Sequence, residues 1–212
     1  MISREVYEEA MHESLRNAKA LIREAVLVGR EISSTHALLL KNTAIEEIAK
    51  AYACWLVVAK VVPRNYSLIR PGNRKGVFRD HDAKYTMYIG LHSSLIMHAE
   101  KAKKSPGEKV TQEELLGAAV GATIIGPTGT KKRFEWMYVD IRKNQEGKWF
   151  VSSPLKQDKG AKLIDFRGVK TVVRYVEHLT GFMKRPEFEE YQKEMIEWFR
   201  ENDSEFPREP KW

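Results

Sequence analysis

Arg74 and His81 have six residues between them, and Arg30 and His36 have five. Each pair sets a guanidinium, a planar fork that grips phosphate, near an imidazole able to move protons close to neutral pH. Their surroundings differ. Arg74 and His81 lie in residues 60–104, where ten basic side chains face only Asp80, Asp82 and Glu100. That surplus equals the whole formal charge of +7, because residues 1–59 hold seven basic and eight acidic groups and residues 105–212 hold nineteen and eighteen. A cationic stretch that also carries Tyr66, Tyr85 and Tyr88 suits a phosphate-bearing polymer, with Arg and Lys for its backbone and aromatics for its bases. The plain alternative is a solvated basic loop that aids solubility. Arg30 and His36 read as a helix-end pair.

Other chemistries are poorly supplied. Glu9-Ala10-Met11-His12 has the spacing of a carboxylate metal site in a helical bundle, but such sites need a second copy and further glutamates. No Cys-x-x-Cys, glycine-rich phosphate loop or Ser-His-Asp arrangement stands out, so neither a metal nor a cofactor is expected. Cys54, the single cysteine, sits in the apolar run 51–59 and reads as a buried thiol in a reducing compartment. Nine apolar residues fall well short of the roughly 20 that cross a bilayer, and the acidic start 1–9 is unlike a signal peptide. A cytoplasmic protein without membrane contact follows as the expectation.

The elements that must place these residues are mostly helices. Apolar residues recur at three and four from Val6 to Ile32, and a second helix, about His36 to Val62, is apolar on nearly every side. That helix should be central, with 51–59 buried. Its charged residues Glu46, Glu47 and Lys50 have spacings that let Lys50 meet both carboxylates, forming a structural polar cluster. Pro63, Pro71 and Gly72 make residues 63–78 a basic connection. Asp80 or Asp82 can cap a third helix running to about Lys104, with His81, Tyr85, Tyr88 and His92 on one face. Thr111 and Glu114 suggest a fourth helix over 112–125. Residues 133–151 read as a β-hairpin, and helices over 160–183 and 186–202 complete a mainly α fold. One domain over 1–203 and a loose tail over 204–212 are expected.

Several segments together resemble the AbiV family of abortive infection proteins: Asn17-Ala18, Ala37-Leu38-Leu39-Leu40, Ile45-Glu46-Glu47-Ile48-Ala49-Lys50-Ala51, and Phe78-Arg79-Asp80-His81-Asp82-Ala83-Lys84. Arg133, Tyr138-Val139-Asp140, Trp149 and Pro154 are similar as well, so the resemblance runs over about 15–155. It implies a HEPN-like helical bundle with one small β-hairpin insertion. Many members of that superfamily are metal-independent endoribonucleases with an Arg-x4-6-His motif, acting as homodimers in defence or toxin systems; others are inactive binding modules.

The expected function is accordingly metal-independent RNA cleavage by an abortive-infection or toxin effector. His81 and Arg74 would be catalytic, and Arg79, Lys84, Arg70 and Lys75 would bind the phosphates. RNA, a second copy and a regulatory protein are the expected partners. The competing expectation is a catalytically silent RNA- or partner-binding helical module.

Overall fold

The computed structural model of the chain describes residues 2–32, 34–70, 72–101, 140–143, 145–146, 148–152 and 166–212. Helix α1 spans Arg4–Glu31, α2 Ser34–Val58 and α3 His81–Lys101; strands β1 (Asp140–Lys143) and β2 (Trp149–Ser152) precede α4 (Arg167–Phe182) and α5 (Phe188–Asn202). The fold is mainly helical, and β1 pairs antiparallel with β2, Asp140 opposite Ser152 and Lys143 opposite Trp149. The helix expected over 112–125, residues 133–139 of the expected hairpin and the start of the helix expected at 160 lie outside the described residues.

Helix α1 buries Tyr7, Met11, Leu15, Ala18, Ile22 and Ala25, a stripe at spacings of three and four laid along α2. At the turn between the two helices a Cβ on Gly29 would come 3.1 Å from the Ala37 Cβ, so the close approach there favours a residue without a side chain. Helix α2 is covered by α1, α3 and α4, which is why it needs apolar residues on every side. The run 51–59 is buried, and Trp55 is 0% exposed, stacked on Tyr52 and met edge-on by Phe188. Each large apolar side chain sealed in this way contributes about 1.5–3 kcal/mol.

The second helix stops at Val58, four residues before the expected end. Lys60 takes the left-handed conformation at φ 53°, Val61 N donates to Leu56 O at 2.9 Å and Lys60 N to Val57 O at 3.0 Å. These two bonds close a helix in the Schellman manner, a position usually given to glycine. Gln192 of α5 fastens the stop by donating to Ala59 O at 2.6 Å.

The tail departs from expectation too. Residues 204–212 are not loose: Phe206 is buried, Arg64 N donates to Lys211 O at 2.9 Å, and Ser67 Oγ donates to a Glu205 carboxylate oxygen at 2.7 Å. These bonds join two segments remote in sequence, one through backbone atoms and one through side chains, so no local periodicity announces them.

Candidate functional site

Helix α3 begins where a chemically useful histidine is wanted. Asp80 Oδ1 accepts from Ala83 N at 2.8 Å, which makes Asp80 the N-cap and places His81 first in the helix. From there the imidazole reaches across to α2. His81 Nδ1 lies 2.9 Å from Glu46 Oε1, and Lys84 Nζ donates to the other oxygen, Oε2, at 3.1 Å. The Glu46 and Lys84 side chains are 5% and 9% exposed, whereas that of His81 is 36% exposed. A buried carboxylate thus bridges a buried ammonium and an imidazole at the protein surface. With Nδ1 turned to the carboxylate, Nε2 is the nitrogen through which the ring would exchange a proton with a substrate.

Glu46 was expected to share Lys50 with Glu47. Instead the two carboxylates face opposite ways: Lys50 Nζ donates to Glu47 Oε1 at 2.6 Å, while Glu46 turns to α3. The Glu47–Lys50 pair lines a groove of about 560 Å³ between α1 and α2 with Asn17, Ser14, Glu13 and Arg16, so two neighbouring glutamates serve different faces of the bundle.

The basic connection between α2 and α3 is a succession of hydrogen-bonded turns. Asn73 N donates to Arg70 O at 3.2 Å, Gly76 N to Asn73 O at 3.2 Å, and Arg79 N to Gly76 O at 2.9 Å. Asn73 Nδ2 donates to Ser67 O at 2.9 Å and Val77 N to Leu68 O at 2.8 Å, which folds the turn back on its own start. Gly76 is buried there, and a Cβ would meet Leu68 O at 3.1 Å. Arg70, Arg74, Lys75 and Arg79 are all exposed, Arg79 only two residues from His81. Lys84 does not join them: buried and bound to Glu46, it balances a carboxylate, whereas the sequence reading had set it on phosphate.

The aromatics play another part than the expected one. Tyr66, Tyr85 and Tyr88 are 2%, 6% and 1% exposed and belong to the core, leaving no ring face for a base. Further along α3, His92 is buried, its ring centroid 6.3 Å from that of Tyr88, and burial holds its pKa below the ordinary value of 6.5. Cys54 is buried in α2 and burial pushes its thiol up to about 12, far from a nucleophile's range. Arg30 lies in the last turn of α1 and His36 in the first of α2. Among the described residues no three His, Cys, Asp or Glu side chains come together as a metal cluster, and no described helix is long and apolar enough to cross a membrane.

Sequence reasoning missed Glu46 as the partner of His81. The available signal was its place on a helix otherwise so apolar that a carboxylate there must find a partner. A family model described as AbiV, of the HEPN class, matches residues 6–174. No curated protein and no solved structure matches the chain.

Proposed function

Because the chain belongs to the AbiV family of HEPN proteins, we propose that it is a metal-independent endoribonuclease of an abortive-infection or toxin system, acting on RNA in the cytoplasm. The observation that carries this reading is the 2.9 Å contact between Glu46 and a half-exposed His81, at the end of a connection on which Arg74 and Arg79 are exposed. Glu46 orients the ring, and Nε2 takes the proton of a ribose 2′-hydroxyl. The 2′-oxygen then attacks the adjacent phosphorus, the bond from phosphorus to the 5′-oxygen breaks, and the products are a 2′,3′-cyclic phosphate and a 5′-hydroxyl. Proton transfer of this kind contributes about 10² to 10⁴ in rate. Arg74 and Arg79 hold the phosphate and stabilise its growing charge, with Arg70 and Lys75 extending the track.

In an in-line displacement the attacking and leaving oxygens lie on opposite sides of phosphorus, so one imidazole does not serve both. A homodimer answers this need, its second His81 protonating the departing oxygen. A regulatory protein partner would keep such an activity in check.

The test compares wild type and His81→Ala on one labelled single-stranded RNA in EDTA, with the product ends analysed. Cleavage to cyclic-phosphate ends by wild type alone supports the reading. RNA binding without cleavage by either protein replaces it with the silent binding module, and equal cleavage by both places the activity elsewhere.

A further inference from the structure

Residues 64–67, which open the basic connection, are each tied to the segment 203–212. Arg64 N donates to Lys211 O at 2.9 Å, and Asn65 both donates to Glu209 O and accepts from Lys211 N, each at 3.0 Å. The Tyr66 hydroxyl donates to Asp203 Oδ2, and the Ser67 hydroxyl to Glu205 Oε2 at 2.7 Å. Phe206 is the plug among these bonds, 8% exposed, with the rings of Tyr66 and Phe199 both 6.0 Å away.

The chain of contacts continues into the arginines. Ser67 O accepts from Asn73 Nδ2 at 2.9 Å, and Asn73 Oδ1 accepts from Lys75 N at 3.2 Å. Arg74 sits between those two residues. We infer that residues 203–212 are a positioning strap for the turn that carries Arg70, Arg74 and Lys75, acting through Tyr66, Ser67 and Asn73. The strap lies outside the residues matched by the family model, 6–174. A turn held in one geometry before binding loses less conformational freedom when it meets phosphate, so the strap raises affinity without touching the ligand. Burial, followed by the hydrogen bond to Asp203, pushes the Tyr66 hydroxyl well above its ordinary pKa and keeps it protonated as the donor.

The consequence for RNA rests on the proposed function; the consequence for the turn does not. Full-length wild type is compared with Tyr66→Phe, Ser67→Ala and Phe206→Ala by amide exchange at Asn73, Gly76 and Val77, and by affinity for a labelled single-stranded RNA across salt concentrations. Exchange should quicken roughly fivefold for each hydrogen bond lost. RNA affinity should weaken in step, more than the cleavage rate at saturating RNA. Lys193→Ala, which breaks an exposed ion pair on α5, should move neither. Tyr66→Phe and Ser67→Ala each remove one hydroxyl and leave the plug in place, so they report even if Phe206→Ala does not fold. Unchanged exchange in both hydroxyl variants overturns the strap. Affinity that rises as exchange quickens overturns it as well, and makes the tail a mask over the basic turn. If wild type binds no RNA, the nuclease reading falls while the exchange rates still decide on the strap.

Discussion

Of the three histidines in helix α3, His81 and His92 lie eleven residues apart on one face, in opposite surroundings. His81 stands at the capped, half-exposed start with a buried carboxylate against Nδ1. His92 lies three turns on among core aromatics, where burial depresses its pKa. Residue type and helical face are the same; what differs is the neighbour on α2 and the access to water. The contrast teaches that a histidine's surroundings are set by what the adjoining helix offers it: burial favours the neutral ring at His92, whereas His81 keeps access to water beside a carboxylate.

The largest effect that can break this contrast is on catalysis. His81→Ala should cost about 10²–10⁴ in cleavage rate, measured with saturating RNA, while His92→Phe should retain most of it; equal losses would erase the distinction. Next is stability. Glu46→Ala leaves Lys84 buried without its carboxylate and should cost about 3–5 kcal/mol in urea unfolding. Glu47→Ala, which breaks a partly exposed pair one helical turn long, should cost no more than about 0.5 kcal/mol. Smaller again is the salt dependence of RNA affinity. Arg74→Ala and Arg79→Ala should each lower the slope of log affinity on log salt by about one. Lys84→Met should hardly change it, because Lys84 is spent on Glu46.

The smallest effect is on acid stability. With its folded pKa below 6.5, His92 binds its proton more readily in the unfolded chain. Its contribution is full above 6.5, declines as pH falls below that value, and stops declining once the folded state is protonated too. His92→Phe should flatten that part of a urea-midpoint against pH profile; an unaltered profile would show that His92 is not the group responsible.

Much of this arrangement was legible beforehand. The stripe on α1 and the buried run 51–59 follow from spacing within a few residues, as does a cap at Asp80 or Asp82, of which the structure takes Asp80; local spacing is what a sequence displays. The site was half legible. Charge counting picked out residues 60–104 and helical phase set His81 at the start of α3, yet the partner of His81 lies 35 residues away on α2. Local spacing offered Lys50 to Glu46, and a competing contact across the helix pair took it instead. The stop at Val58 was hidden because Lys60 adopts a backbone conformation that glycine usually signals. Tyr66, Tyr85 and Tyr88 were misplaced because aromatics in a basic stretch fit a stacking surface and a core equally well until the packing is known.

The sealed thiol of Cys54 gives the molecule a built-in clock. A sulfur 0% exposed and protonated up to about pH 12 reacts with an alkylating reagent only during the instants when α2 parts from its neighbours. The rate of its labelling therefore counts breathing events at the centre of the bundle. Thiols introduced at exposed positions such as Arg74 would be consumed far sooner, so surface and interior can be timed in a single chain.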